Sequence, residues 1–237
     1  MQINIMSYNT QHCLNYVTRQ IDYDIITDTI KQCSADIIGL QEMRGLGDDE
    51  GFEAQTQILA ERLGYYYYFA QAINVGGGNN PYGNAILSRY PIKSTEIVMI
   101  PDPEVKKYKR HYETRCILKA TIDVGDGLNM LVTHMGLNPD EQVNAVETLL
   151  SVIPQRRCVL MGDFNMQPDN PILAPVKQRL YDTAQAFDCP KLSYPSDNPD
   201  VKIDYIFVSD DIGVIHADLP EIISSDHRPH TATIKLK

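Results

Sequence analysis

The sequence predicts one α/β domain, and three observations carry that expectation. Short apolar runs of strand length alternate with amphipathic stretches of helical period along the chain. No low-complexity linker divides the 237 residues, a length at which single α/β domains are common. A hydrophobic fraction of 43% is enough for a full core.

The elements follow in order. Ile3 to Asn9 alternates apolar and polar residues as a strand, and 22–34 reads as a helix with Ile26, Ile30 and Cys33 on one stripe. Asp36 to Glu42 has a continuous apolar centre, the mark of an interior strand, and places Glu42 where it leaves the core. A helix over 52–63, with Phe52, Leu59 and Leu63 on one face, ends at Gly64. Tyr65 to Ala70 is an aromatic strand, and Gly76 to Pro81 is a mobile rim without P-loop or dinucleotide spacing. Strands follow over 83–88, 92–100 and 116–122; the last is joined through Asp126-Gly127 to a hairpin partner, Leu128 to His134. Asn138 as N-cap and Pro139 at the first helical position open a helix whose stripe is Val143, Val146, Leu149, Leu150 and Ile153.

Val159 to Asp163 is too short an apolar run for a helix and reads as a buried strand that ends in Asp163 and Asn165, two residues apart and so facing one space. Gly162 lets another backbone or a ligand approach closely. Taken alone, D-x-N is also the signature of an Asx turn closing a strand. The chain then reads as irregular through Tyr194. Strands at 202–209 and 212–217, a polar loop Ser224 to His230, and a last strand from Thr231 to Leu236 complete the fold.

Composition bounds the function. Cys13, Cys33, Cys116, Cys158 and Cys189 show no C-x-x-C and no paired Cys/His spacing, so they read as free thiols and not as a disulfide frame or zinc site. No leader-like segment and no long apolar span is evident, which points to a cytoplasmic chain without a transmembrane segment. No feature signals an obligate protein partner. A net charge of −10 disfavours strong nonspecific attraction to polyanions, although site carboxylates contribute to it and bound cations would reverse the field locally. The stretch from Glu104 to Arg115 runs against that balance, with Lys106, Lys107, Lys109, Arg110 and Arg115 (+5) against Glu104 and Glu113 (−2), a local +3. Most such runs are solvated loops. Arg115 differs, because it stands at a strand end where a planar donor fork can grip a phosphate.

Asn9, Glu42, His134, Asp163, Asn165, Asp226 and His227 thus fall at strand ends or in the loops beside them. Singly, each has an ordinary structural reading: Glu42 pairs with Arg44, and His134 is a hydrogen-bonded histidine. Together they are the way a site is grafted onto a sheet scaffold. Hard oxygen ligands without thiolates suit Mg²⁺ or Mn²⁺, and two histidines supply proton transfer near neutral pH.

With Ser7-Tyr8-Asn9, Gly39-Leu40-Gln41-Glu42, Gly83 to Ser88, Thr133-His134, Gly162-Asp163-Phe164-Asn165, Ile203 to Phe207 and Ser225 to Pro229 in that order, the chain resembles the endonuclease/exonuclease/phosphatase family over nearly its whole length. The resemblance implies a four-layer α/β sandwich, two central and mostly antiparallel sheets flanked by helices, with a cleft at one end. It implies Glu42 as the principal Mg²⁺ ligand beside Asn9 and Asp226, and Asp163 and Asn165 as the pair that orients water and holds phosphate. It implies His227 polarised by Asp204, and His134 as the second imidazole. Arg115 is a phosphate clamp in this reading, and the residue that orients His134 stays open.

A hard cation, positioned donors and imidazoles are what phosphoester hydrolysis requires. The expected function is a Mg²⁺-dependent hydrolase of phosphodiesters or phosphomonoesters. Nucleic acid, a phospholipid head group as in sphingomyelinases, and an inositol or sugar phosphate stay open as substrates. The rivals are a phosphate-ligand-binding protein of the same fold that has lost catalysis, which would lack Glu42, Asp163 or His227, and a purely structural domain.

Overall fold

The computed structural model describes residues 1–236. In chain order its elements are β1 (Gln2–Asn9), α1 (Tyr23–Gln32), β2 (Ile37–Arg44), α2 (Gln55–Leu63), β3 (Tyr66–Asn74), β4 (Pro81–Ser88), β5 (Ile92–Met99), β6 (Cys116–Ile122), β7 (Leu128–His134), α3 (Pro139–Val152), β8 (Cys158–Asp163), α4 (Ala174–Arg179), β9 (Tyr181–Asp182), β10 (Asp204–Val208), β11 (Ile212–Asp218) and β12 (His230–Leu236). Two six-stranded sheets result, ordered β11-β12-β1-β2-β4-β3 and β5-β6-β7-β8-β10-β9. Each holds one parallel pair, β1 with β2 and β7 with β8. All other neighbours are antiparallel, as expected.

Strand alternation explains the layers. Ile3, Ile5, Ile37, Val132, Val159, Met161 and Ile206 point between the sheets and form one core. Their strand neighbours point outward: Met6, Tyr8, Ile38 and Leu40 pack under Ile26, Ile30 and Leu59 of α1 and α2. On the other side Leu131, Leu160, Tyr205 and Phe207 pack with Phe164 under Val146 and Leu149 of α3 and Val176 of α4. A strand buried on both faces must be apolar at every position, which is why β2 and β8 read as continuous runs. The arrangement is the expected four-layer sandwich. Gly39 sits where the sheets meet most tightly, since a Cβ there would lie 2.5 Å from Met161 Sδ and 2.9 Å from Val132.

Capping agrees with the sequence reading in part. Asp22 accepts from the Asp24 and Ile25 N–H groups at the start of α1, and Gly64, at φ 70°, closes α2. The Asn138 N–H donates to Glu141 at 3.1 Å, closing the turn that opens α3. Four expectations need correction. α2 begins at Gln55 and not 52, because Ala54 offers no capping side chain; Phe52 lies outside it, 4.6 Å beneath the Arg44 guanidinium. Val143 is 40% exposed and does not belong to the buried stripe of α3. The stretch read as irregular holds α4, β9 and two 3₁₀ turns at 171–173 and 183–186; a six-residue helix with Pro175 in its first turn is too short to show a period. The glycine run expected to be a mobile rim wraps around buried Asn80, whose amide donates to Asp49 and to the Val75 carbonyl.

The five cysteines are free. Among the described residues no helix is long and apolar enough to cross a membrane.

Gly162 meets its expectation directly: a Cβ built there would lie 2.0 Å from the Thr133 carbonyl oxygen of β7. Backbone cannot yield as a side-chain tip can, so Gly162→Ala should destabilise the fold by about 1–3 kcal/mol or more. Urea denaturation checks this, and an unchanged midpoint would show that β7 and β8 separate freely.

Candidate active site

The second sheet supplies a row of three polar residues. β7, β8 and β10 end together, and the register pairs His134 with Asp163 and Asp163 with Asp204. Asp163 is 2% exposed. Its Oδ2 accepts from Asn9 Nδ2 at 3.1 Å and lies 3.5 Å from His134 Nε2 and 3.6 Å from His227 Nε2. His227 arrives from the loop before β12, and its Nδ1 sits 2.9 Å from Asp204 Oδ2, so the pairing expected of these two residues is present in the geometry. The Tyr194 ring covers His227 at 4.8 Å.

Burial works against a charged His227, but Asp204 and Asp163, one at each ring nitrogen, lift its pKa well above the ordinary histidine range. Burial also raises Asp163, with the His227 charge pulling it back. The three side chains form one row, with the His227 ring between the Asp204 and Asp163 carboxyl groups. These three residues also bring metal-capable atoms within 4.8 Å of one another and form a buried group that could bind an ion.

The first sheet supplies Asn9 and Glu42. A bulge in β2 between Leu40 and Met43 breaks its pairing with β4, and Glu42 takes a left-handed φ of 62° there. Such bulges re-aim a side chain. Glu42 then accepts from Asn9 Nδ2 at 3.1 Å and from the Tyr82 hydroxyl at 2.9 Å. The ordinary alternative for Glu42, a pair with Arg44, is not what forms: Arg44 is turned to the Gly51 carbonyl and the Phe52 ring. Asn9 Oδ1 accepts the Gln11 N–H, at the start of a turn in which Gln11, His12 and Cys13 are all left-handed. Asp226 accepts from the Ser225 hydroxyl. Burial raises its pKa, His227 draws it back, and the Glu42 charge adds to the rise.

The third contribution is the basic loop. Residues 104–111 are exposed, but the loop is tethered: the Lys107 N–H and the Tyr112 hydroxyl donate to Asp140, and Asn138 donates to the Arg110 and His111 carbonyls, which ties it to the start of α3. Arg115, at its end, lies 2.7 Å from Glu113 and donates to His134 Nδ1 at 3.0 Å. Asn165, at φ 51°, donates to the Met135 carbonyl and has the same nitrogen 3.2 Å from His134 Nε2.

One cleft of about 530 Å³ is lined by Glu42, Arg115, His134, Asp163, Asn165, Asp226 and His227. Asn9 and Asp204, both 0% exposed, lie behind that wall and hold the residues that form it. Tyr82, Tyr194, Gln167 and Glu113 were not singled out from the sequence. Tyr82 and Glu113 carry a signal only in retrospect, each two residues from a polar group at a strand end.

The model of the Endonuclease/Exonuclease/phosphatase family matches residues 6–227. The chain belongs to this family. Protein cwh43 of Schizosaccharomyces pombe is 30% identical over 112 residues, which cover 47% of this chain and 10% of the yeast protein. The uncharacterized protein YbhP of Escherichia coli K12 is 24% identical, with 98% of this chain and 96% of YbhP covered. Among solved structures, the mannosyl-6-phosphatase Bt3783 of Bacteroides thetaiotaomicron shares the family fold at a TM-score of 0.76 and 18% identity, covering 99% of this chain and all (100%) of that one.

Two buried histidines in this fold are harder to protonate than in water. Burial, then the Arg115 charge, holds His134 well below the ordinary histidine pKa, and burial, then Lys202, does the same for His230. Below about pH 6.5 the unfolded chain takes up protons at these rings and the folded chain does not, so stability falls as pH drops. His230 does not line the cleft, although its Nδ1 lies 3.3 Å from the Asp204 carbonyl behind it, and it suits the test. His230→Gln should flatten the acid side of a urea-midpoint profile by up to about 1.4 kcal/mol per pH unit. An unchanged slope would mean that His230 is protonated in the folded protein.

Proposed function

We propose that the protein is a divalent-metal-dependent phosphohydrolase, cleaving phosphodiester or phosphomonoester bonds, that grips its substrate through one or a few phosphates. The observation that carries the reading is the convergence, around one cleft, of carboxylates, imidazoles and a guanidinium from both sheets and the basic loop.

The donor set fits a hard cation. The Glu42 charge helps to raise the Asp226 pKa, the two acids are held by hydroxyl and amide donors, and no cysteine lines the cleft they share. We assign the ion to Glu42 and Asp226, with Asn9 beside them, and not to the Asp163, Asp204 and His227 group, where the two ring nitrogens of His227 already face the two acids. When bound, Mg²⁺ or Mn²⁺ supplies charge neutralisation at the phosphoryl oxygens. The chain's own residues do the rest. Asp163 orients the attacking water, with Asn165 on the phosphate. His227 offers Nε2–H to developing negative charge, and Asp204 fixes its tautomer from the far side. Arg115 adds a fixed positive charge at the cleft wall.

The basic stretch also supports a small footprint. Its backbone is folded against α3, and Lys106 lies 5.2 Å over the Tyr112 ring, so it offers a compact patch and not a track along a duplex. A small phosphodiester, a phospholipid head group or a nucleic-acid end suits it better than a long polyanion.

A panel of plasmid DNA, single-stranded oligonucleotides, bis-p-nitrophenyl phosphate, sphingomyelin and inositol and sugar phosphates with Mg²⁺ is the direct test. Turnover should vanish with chelator and in Glu42→Ala while the fold persists; full turnover of that variant in metal-free buffer would sink the metal assignment. Asp204→Asn should lower kcat on the order of 10²–10⁴-fold with little change in substrate affinity, and a loss of affinity alone would refute the His227 pairing. Plasmid binding should show a shallow salt dependence; a slope equivalent to about six or more phosphates requires an extended contact track and would overturn the small footprint.

A further inference from the structure

We propose that Arg115, held by Glu113, is a positioning residue that locks His134 in its neutral Nε2–H tautomer. On the phosphohydrolase reading above, His134 then meets the substrate as a hydrogen-bond donor and not as a base.

The argument starts from what each nitrogen can do. A guanidinium only donates, so the ring nitrogen 3.0 Å from Arg115 Nη1 must present a lone pair. That nitrogen is Nδ1, and a neutral imidazole whose Nδ1 accepts carries its hydrogen on Nε2. Protonating both nitrogens would set an N–H against a charged N–H.

A second donor competes for the ring. Asn165 Nδ2 lies 3.2 Å from Nε2, and one neutral imidazole has one lone pair to give. Turning that amide round would set its oxygen against the Met135 carbonyl, its present acceptor at 3.0 Å. The charged donor is about twice as strong as the neutral one. Nε2 also has an acceptor in reach, Asp163 Oδ2 at 3.5 Å, which an N–H can address and a lone pair cannot. Arg115 therefore wins Nδ1, and Nε2–H faces the carboxylate.

The lock is built into the scaffold. Glu113 pairs with Arg115 at 2.7 Å, where their side chains are 17% and 14% exposed. The Glu113 N–H is in turn held by Glu141, the acid that closes the first turn of α3. A helix start thus fixes an acid, the acid fixes a guanidinium, and the guanidinium fixes a ring. The residue that orients His134, left open by the sequence, is a cation. A carboxylate at the same nitrogen would accept a hydrogen bond from Nδ1–H and leave Nε2 a lone-pair base; Arg115 does the reverse.

The test reads the ring directly. Long-range ¹H–¹⁵N correlation spectra of ¹⁵N-labelled protein at pH 7 should show His134 with a lone-pair Nδ1 and a protonated Nε2. Arg115→Ala should replace this with an averaged or Nδ1–H pattern, Glu113→Gln should shift it part of the way, and Arg115→Lys should restore part of it. With a phosphate ester that the enzyme turns over, Arg115→Ala and Glu113→Gln should lower kcat, the former on the order of 10²-fold, more than they raise KM. An Nδ1–H tautomer in the unmodified protein would overturn the proposal even if Arg115→Ala did not fold. So would an unchanged ¹⁵N pattern in a folded Arg115→Ala whose KM alone rises, the mark of a simple phosphate clamp. The spectra need no turnover, so they decide the tautomer even if no phosphate ester proves to be a substrate.

Discussion

A carboxylate shut away from water must have its charge met from within, and Asp163 sets that demand for one whole end of the sandwich. An uncompensated ion there would cost several kcal/mol. Asn9 answers from the other sheet, His227 from the loop before the last strand, and the Asn165 N–H from two residues on, donating to Oδ1 at 2.9 Å. The Asn9 amide spans Glu42 and Asp163, so one side chain fixes the distance between the acids of the two sheets. The inter-sheet core beneath, with Gly39 against Met161, brings the strand ends close enough for that bridge.

Much of this was legible because a buried strand gives a sharp signal. An apolar run that stops at a polar residue locates both the strand and the place where its end meets solvent, and Glu42 and Asp163 were found that way; Asn9 closes a strand read from alternation and His134 one read as a hairpin partner. Asp204 and His227 were paired through the family resemblance, and the geometry places them 2.9 Å apart. What the sequence hid depends on contacts between distant segments. Tyr82 looks like one more strand tyrosine until a bulge turns Glu42 toward it. Glu113 counts only as a charge against the lysines until α3 fixes its backbone. Tyr194 lies in a stretch whose short elements are too brief to show a period. Val143 failed for the opposite reason: at one position an apolar residue on a helix says nothing about which face it takes.

The polar end of the sandwich is also where the backbone departs from comfortable geometry. Gln11, His12 and Cys13 together, Glu42 and Asn165 are left-handed without being glycine. Such residues cost on the order of 1–3 kcal/mol each and persist only where the surroundings over-determine them. Here the surroundings are evident: the Gln11 N–H is tied to Asn9, Glu42 is held by two donors, and the Asn165 N–H is tied to Asp163. The polar network and the strained turns hold each other, so loosening one site loop disturbs the rest.

Strand order has a consequence for the chain during synthesis. β1 is flanked by β2 on one side and by β12 on the other, so the first of these twelve strands to be made waits for the last before its sheet is whole. The second sheet has no such wait, because β5 to β10 form a contiguous stretch. A nascent chain can therefore settle one half of the sandwich while β1 still carries an open edge, a species exposed to wrong pairing and a natural client for chaperones. Asp226 and His227 lie just ahead of β12, so the same delay keeps the cleft unfinished until the last strand of this sheet has been made.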